Sequence, residues 1–135
     1  MKFLVDANVL SEVTKAEPRH SVVDWLRRHE LRLAVNGVVL GEIRFGILLL
    51  PPGSRRDRLE LWFEEVVSRI HCFPWEAQTG LRWAKLLADL RQKGLAMPIK
   101  DSLIAASALE HDLQIVSRNR RDFELAGLSV LDPFE

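Results

Sequence analysis

Short apolar runs alternate along the chain with longer segments whose apolar residues have helical spacing. The short runs predict strands at residues 2–5, 33–35, 71–73, 113–116 and 128–131. The longer segments predict helices at residues 8–15, 20–29, 38–50, 54–70, 75–92, 98–111 and 119–125, with Ser54 as the N-cap of the fourth helix. Because strands and helices alternate, we expect an α/β fold with a mostly parallel sheet flanked by helices on both faces.

The predicted helix over residues 38–50 is apolar nearly all round, and the breaker Pro51-Pro52-Gly53 ends it. A helix with no polar face is expected to be buried on all sides. In a domain of this size, part of that burial is expected to come from a second chain, which predicts a homodimer. The helix that follows is amphipathic, with apolar residues at Leu59, Trp62, Phe63, Val66, Val67 and Ile70.

Length and composition are those of one ordinary globular domain spanning residues 1–135. The 19 basic and 19 acidic residues give a net charge of zero, so any contact with nucleic acid must be local. The single cysteine, Cys72, excludes an internal disulfide and suits a reducing cytoplasm. No apolar run is long enough for a membrane span, and Asp6 interrupts any signal-peptide run, so we expect no membrane association.

Four acidic residues occupy unusual positions in this pattern. Asp6 directly follows the first strand in the stretch FLVDANVL, and Asp122 follows the strand at residues 113–116. Glu42 lies in the most apolar helix, and Asp101 begins a helix rich in Ala and Ser. Ligands of parallel sheets bind beyond the carboxyl ends of the strands, where these residues could meet. Two carboxylates about 5 Å apart repel by about 3 kcal/mol at an effective dielectric near 20, so the group would require a cation. Oxygen ligands favour Mg²⁺ or Mn²⁺.

Each of these acids also has a purely structural interpretation. Asp6 and Asp122 could cap short helices or turns, because Asp is a favoured N-cap residue. Asp101 could simply stabilise the N-terminus of its helix. Glu42 could pair with Arg44 or with another basic residue. The structural interpretations are independent of one another, whereas a common site explains all four positions together.

Four segments cover nearly the whole chain in a fixed order: FLVDANVLSE, VVLGEIRFGI, MPIKDSLIAASALEHDLQIVSRN and RRDFELAGLSVLDPF. In this order they resemble the PIN-domain ribonucleases, most closely the VapC-type toxins of prokaryotic toxin–antitoxin pairs. The resemblance implies a Rossmann-like fold, metal-dependent cleavage of RNA and an inhibitory antitoxin encoded nearby. Carried over by position, it implies catalytic and metal-binding roles for Asp6, Glu42, Asp101 and Asp122.

The resemblance also implies supporting residues and partners. Asn8 and Asn119 match supporting polar positions, whereas Ala7 stands where the family usually has Thr, a difference that bears on metal affinity. A homodimer is implied, and contact with operator DNA is expected only through the antitoxin. The basic residues near the four acids are candidates for holding RNA phosphates, the alternative being solvated surface side chains. These are Arg44, Lys100, Arg118, Arg120 and Arg121.

Three other functions fit the sequence less well. A phosphoacceptor signalling domain requires paired acids after the first strand and a lysine after the last, and the last strand here is followed by Asp132-Pro133. A phosphatase of the haloacid-dehalogenase type requires Asp-x-Asp, where this chain has Asp6-Ala7-Asn8. A catalytically inactive binding module on the same fold would not need all four acids.

Overall fold

A parallel sheet forms the centre of the protein in the computed structural model, which describes residues 2–135. Its strands are β1 (Phe3–Val5), β2 (Leu33–Asn36), β3 (His71–Phe73), β4 (Gln114–Val116) and β5 (Val130–Leu131). The strands lie in the order β3-β2-β1-β4-β5, and every neighbouring pair is parallel. The predicted α/β fold is confirmed, and each predicted strand is present within a few residues.

The helices connect these strands in the predicted sequence. They are α1 (Ala7–Leu10), α2 (His20–Arg28), α3 (Gly37–Leu48), α4 (Ser54–Glu65), α5 (Ala77–Gln92), α6 (Ile99–His111) and α7 (Arg120–Leu125). Short 3-10 segments lie at Ser11–Thr14, Glu30–Arg32 and Val67–Arg69. Because parallel crossovers are right-handed, α1–α4 cover one face of the sheet and α5–α7 cover the other. No helix within residues 2–135 is both long and apolar enough to cross a membrane.

The direction of the chain reverses between β1 and β4. From β1 the chain proceeds to β2 and then β3, and it next crosses back over the sheet to β4 and β5. The carboxyl ends of β1 and β4 therefore form the crevice in which α/β proteins bind ligands. Asp6 directly follows β1 and Ser117 directly follows β4, and the backbone N–H of Asp6 donates to the carbonyl of Val116 at 2.9 Å.

The central strands are buried on both faces, as expected for strands covered by helices on both sides. Residues with no exposed surface include Leu4, Val5, Ala34, Val35, Ile115 and Val116. This burial explains why the strands appear in the sequence as continuous apolar runs. The polar residues that directly follow β1 and β4, Asp6 and Ser117, therefore lie at the edge of the core.

Within this chain, the third helix is buried on one side only, and burial of its other side by a second chain stays a prediction. In α3, the stripe Val39, Ile43 and Ile47 is buried. On the other side of the same helix, Phe45 is 63% exposed and Leu49 is 69% exposed. The reason is geometric, because a helix packed on a sheet turns one face to the core and the opposite face to solvent or to another molecule.

Two other helices differ from the prediction at their ends. The helix predicted over residues 8–15 is divided into α1 and a 3-10 segment, where the Thr14 hydroxyl donates to the Ser11 carbonyl at 2.7 Å. Side-chain hydroxyls compete with helical backbone bonds in this way. In α4, Gly53 occupies the N-cap position and Ser54 is the first helical residue. The helix ends at Glu65, before the last part of the predicted amphipathic stripe.

Candidate active site

Asp6 is a buried carboxylate with two different sets of partners. It is 5% exposed and is the N-cap of α1, and its Oδ1 accepts from the backbone N–H of Ala7 at 2.8 Å. Its Oδ2 accepts from the Ser117 hydroxyl at 2.7 Å. Burial raises the pKa of Asp6 above its ordinary value, against the hydrogen bonds from Ser117 and Ala7, which lower it. The capping interpretation is thus confirmed, and it accounts for one carboxylate oxygen.

Asp101 lies in the first turn of α6 and is 6% exposed. Its Oδ2 accepts from the side-chain amide of Asn119 at 2.7 Å. Burial, with smaller contributions from the negative charges of Asp6 and Asp122, raises the pKa of Asp101 to about 6. A position at a helix N-terminus favours a charged carboxylate, whereas burial, together with the neighbouring acids, favours the protonated form of Asp101.

Glu42 lies in the first half of α3, and its partner is Lys100 rather than Arg44. The Lys100 ammonium lies 2.9 Å from Glu42 Oε2, and this hydrogen bond raises the pKa of Lys100. Glu42 Oε1 is buried and has no hydrogen-bond partner in the described part of the chain. A buried carboxylate oxygen without a donor is costly, which makes it a ready ligand for a cation.

Asp122 is the third residue of α7 and is half-buried. It does not cap this helix, because Asn119 occupies the N-cap position. Its charge nevertheless contributes to the raised pKa of Asp101, so it lies within electrostatic range of that carboxylate. Asp122 therefore faces the same crevice from the β4 side.

The structure thus brings the four predicted acids to one edge of the sheet, although they are not fully converged. Among residues 2–135, no three His, Cys, Asp or Glu side chains lie close enough together to hold a metal ion as they stand. The pairing with Lys100 accounts for the position of Glu42. The donor set still fits a hard divalent cation, because it consists of carboxylate oxygens and includes the unpartnered Oε1 of Glu42. Acidic side chains that raise one another's pKa would also be stabilised by positive charge.

A hydroxyl that the sequence analysis did not single out connects the two halves of the site. Ser117 Oγ donates to Asp6 Oδ2 and accepts from the backbone N–H of Asn119 at 2.9 Å. The Asn8 amide lies 3.4 Å from both Asp6 Oδ2 and Ser117 Oγ. The sequence signal that could have identified Ser117 is its position directly after β4, which matches the position of Asp6 directly after β1. Asn8 and Asn119 contact the acids, and their role in metal binding stays a prediction.

The predicted RNA-binding residues differ in their contacts and in their exposure. Lys100 contacts Glu42, while Arg121 is exposed. The Arg44 guanidinium lies 5.1 Å from the centre of the Phe63 ring, between α3 and α4. Arg118 lies 4.4 Å from the centre of the Phe134 ring, and Arg120 Nη2 lies 3.8 Å from Glu135 Oε2. Three of the arginines are therefore held by aromatic or C-terminal contacts, and their role in RNA binding stays a prediction.

One protein-family model, that of the PIN domain, matches the chain over residues 3–128. The chain belongs to the PIN-domain family. Its relatives include the VapC ribonuclease Y4jK of Sinorhizobium fredii, which is 31% identical over 98% of this chain and 97% of that protein. The plasmid stability protein StbB of Pseudomonas syringae pv. tomato is 36% identical over 98% of both chains. These matches exclude the phosphoacceptor and phosphatase interpretations.

The same PIN fold is present in solved structures. The crystal structure of FitAcB from Neisseria gonorrhoeae superposes with a TM-score of 0.89 at 26% identity, covering 98% of this chain and 99% of that one. The likeness extends over the whole sheet and its helices. The resemblance to PIN-domain and VapC-type proteins is therefore confirmed.

Proposed function

We propose that this PIN domain is an endoribonuclease toxin that uses Mg²⁺ or Mn²⁺ and is held inactive by a cognate antitoxin. The observation that carries the proposal is the gathering of acidic side chains at the switch point of the sheet, where Asp101 has its pKa raised to about 6. The unpartnered Oε1 of Glu42 gives that group a further ligand for a cation. The likeness to a VapC ribonuclease supports RNA as the substrate.

In this proposal the four acids divide into holding and supporting roles. Asp6 and Asp101 hold the principal cation, while Glu42 and Asp122 position the attacking water or a second cation. When bound, the cation supplies positive charge that activates water and offsets negative charge developing on the phosphate. Ser117 and Asn119 orient the two deepest carboxylates through the hydrogen bonds described above.

The basic residues at the edges of the crevice supply the contacts with RNA. The protein has no net charge, so attraction of the phosphate backbone depends on where its cations lie. We assign phosphate contacts to the residues already predicted from the sequence, namely Arg44, Lys100, Arg118, Arg120 and Arg121. Arginine suits this role because its planar guanidinium donates two parallel hydrogen bonds to a phosphate.

The partners follow from the same family. A cognate antitoxin would suppress the nuclease, and operator DNA would be contacted only through that antitoxin. The expected compartment is the cytoplasm, where RNA is available and where the exposed thiol of Cys72 stays reduced.

We further propose that the protein is a homodimer that covers the outer face of α3. Phe45, Leu48 and Leu49 are each at least half exposed on one helix, which is unusual for large apolar residues in a monomer. Light scattering should give twice the chain mass of 15.5 kDa, and Leu49→Glu should give the mass of a single chain. A single-chain mass for the unchanged protein at micromolar concentration would contradict the proposal.

The nuclease proposal is tested by incubating the full chain with single-stranded RNA. We expect cleavage with Mg²⁺ or Mn²⁺, no cleavage in excess EDTA, and suppression by the product of the neighbouring gene. Full cleavage in excess chelator would contradict the metal requirement. Binding of RNA without any cleavage would instead support an inactive binding module on the same fold.

A further inference from the structure

A cavity of about 300 Å³ opens directly beside the acidic crevice. It is bounded by α1, α3 and α4, and its lining includes Glu42, Ala7 and Asn8. Glu42 belongs to the group of acids, and Asn8 contacts Asp6. A ligand in this cavity, here called the α3–α4 cavity, would therefore be a direct neighbour of any group bound by the acids.

The deeper walls of the α3–α4 cavity are apolar and include an aromatic ring. Ile43, Ile47, Leu59 and Trp62 line it, and Trp62 is half-buried, so part of its ring is accessible. On the α3 side the wall contains Gly46, and no atom lies within 4 Å of the position that a Cβ would take there. The cavity is thus open next to the helix backbone and accepts a flat apolar group.

The far end of the α3–α4 cavity is basic. Arg55 lines it, and an adjoining cavity of about 200 Å³ shares Arg55 and adds Arg58 and Lys15. Lys15 is paired with Glu12 at 2.8 Å. Arg55 and Arg58 are exposed, and neither forms an ion pair with any residue in the range 2–135. The two guanidinium groups are free to bind an anion.

We propose that the α3–α4 cavity binds the base of the nucleotide next to the scissile phosphate, and that Arg55 and Arg58 bind the following phosphate. This inference rests on the proposed ribonuclease function and names a substrate subsite for it. Single-stranded RNA presents an apolar ring and an anion in alternation, which matches an aromatic wall followed by two arginines. A peptide of a protein partner would match the two arginines only where it carries acidic side chains, whereas every nucleotide of RNA supplies a phosphate. In this proposal, one face of the Trp62 ring packs against the protein and the other face stacks on the RNA base.

The first test fills the cavity without disturbing the acids. Gly46→Leu adds a side chain where there is space, and Gly41→Leu is the matched control, because Gly41 lies on the same helix, has equal space and does not line the cavity. We expect Gly46→Leu to raise KM for single-stranded RNA by about tenfold, as expected for the loss of one stacked base. Stabilisation of the protein by Mn²⁺ in thermal melts, which involves no base, should be unchanged in both variants.

The second test separates the arginines from the apolar wall through the salt dependence of RNA binding, measured by fluorescence anisotropy in EDTA. For single strands, each lost phosphate contact makes the slope of log K against log salt shallower by about 0.7. We expect this change for Arg55→Ala and for Arg58→Ala, and no change for Gly46→Leu. Arg56→Ala is the matched control, because Arg56 is already paired with Glu60 at 3.6 Å.

A third measurement tests whether the Trp62 ring contacts RNA. RNA should quench part of the tryptophan fluorescence in EDTA, and Trp62→Phe should remove that part. If Gly46→Leu and Arg55→Ala leave RNA binding and its salt slope unchanged, the subsite does not exist, whatever the nuclease does. If Gly46→Leu instead weakens binding of the antitoxin alone, the cavity holds a peptide and the inference is overturned. Absence of RNA cleavage with Mg²⁺ and with Mn²⁺ would refute the nuclease, while the binding measurements would still decide the subsite.

Discussion

Two buried carboxylates near the N-terminus, Asp6 and Glu12, differ in how their charge is compensated. Glu12 is 2% exposed and Asp6 is 5% exposed, so burial alone does not distinguish them. The hydrogen bond from Lys15, supported by one from the Arg19 backbone, holds the pKa of Glu12 below its ordinary value. Burial instead raises the pKa of Asp6, and its neighbours include the acid Glu42. The protein supplies a cation for Glu12 within the same turn, whereas Asp6 has no ion pair of its own among residues 2–135 and is affected by both Glu42 and Lys100.

The comparison shows that burial without a compensating ion pair, rather than low exposure alone, marks the candidate site. Glu12 accepts from the Arg19 backbone at 2.9 Å and from Lys15, and these contacts join the 3-10 segment to the start of α2. Asp6 and Asp101 receive hydrogen bonds from neutral groups, and Lys100 is the cation that lowers the pKa of both. A group of acids left in this state is suited to an ion that enters from solution.

The largest expected difference between the two regions is in catalysis. We expect Asp101→Asn to lower the rate of RNA cleavage by about a hundredfold or more, because the variant loses a charge aimed at the cation and the phosphate. Glu12→Gln should retain its rate at a temperature where it is folded. The measurement is a timed assay with Mn²⁺, with folding checked by circular dichroism. Equal losses in the two variants would mean that Asp101 acts through stability alone.

The second difference concerns binding of the metal without any substrate. Mg²⁺ or Mn²⁺ at a hundredfold excess over the dissociation constant should stabilise the unchanged protein by about 2.7 kcal/mol. Asp6→Asn should gain much less, although Asn caps α1 as well as Asp does. Glu12→Gln and Asp89→Asn should keep the full gain, because Asp89 is an exposed residue paired with Lys85 on α5. Thermal melts with and without metal measure this, and full stabilisation of Asp6→Asn would place the metal elsewhere.

The third difference is that, without metal, substitutions in the two regions should change the free energy of unfolding in opposite directions. Asp101→Asn should raise the free energy of unfolding at neutral pH by about 1 kcal/mol, less than the full conversion of its pKa shift, because nearby solvent screens the charges. Glu12→Gln should lower the free energy of unfolding by about 1–3 kcal/mol, because it removes charge-assisted contacts from a buried group. Urea unfolding in EDTA measures both changes. Two changes of the same sign would remove the distinction between the regions.

The pH dependence of unfolding follows from the same two groups. The pKa of Asp101 rises from 3.8 to about 6, so its folded form binds more protons, and its contribution to stability is lost as pH increases between those values. The pKa of Glu12 is lowered from 4.5, so its contribution is present above that value and is lost as pH decreases. Asp101→Asn should therefore flatten the metal-free curve on the side between pH 4 and about 6. A curve of unchanged shape for this variant would contradict the assigned shift.

The smallest difference is expected between two lysines with nearly the same geometry. Lys15 lies 2.8 Å from Glu12 and Lys100 lies 2.9 Å from Glu42, but the Glu12 side chain is 3% exposed and that of Glu42 is 30% exposed. Lys100→Met should change the free energy of unfolding by less than about 1 kcal/mol, as is usual for partly exposed pairs. Lys15→Met should lower the free energy of unfolding by more, because it leaves the buried charge of Glu12 without its cation. Equal losses in the free energy of unfolding of the two variants would show that exposure of the acid does not determine how much each ion pair contributes to stability.

The sequence was sufficient to predict the strands and the order of the helices, while the role of the four acids as a site stays a prediction. Continuous apolar runs identify buried strands, and an acid directly after such a run, as at Asp6, is visible without a structure. The predictions were less accurate where a local sequence pattern is compatible with two different structures. The helix at residues 8–15 is divided because Thr14 competes for a backbone carbonyl, and the outer face of α3 is exposed because periodicity does not specify what covers a helix.

Other features depended on residues that are distant in sequence. Ser117 was not predicted, because a serine after a strand has no distinctive pattern until β4 is placed beside β1 and its hydroxyl reaches Asp6, which is 111 residues away. The pairing of Glu42 with Lys100 spans 58 residues, and the nearer Arg44 stacks on Phe63 instead. The α3–α4 cavity likewise exists only because α1, α3 and α4 meet beside the acids.

The sequence by itself determined which runs of residues become strands and where an acid directly follows one, because both depend on local composition and spacing. The tertiary structure decided which acids are buried without an ion pair. Glu12 is paired with Lys15, three residues away, and its pKa is lowered, whereas the pKa of Asp101 is raised by burial and by the charges of the distant Asp6 and Asp122. The physical reason is that electrostatic energy depends on distance in space and on exclusion of water, and the fold sets both.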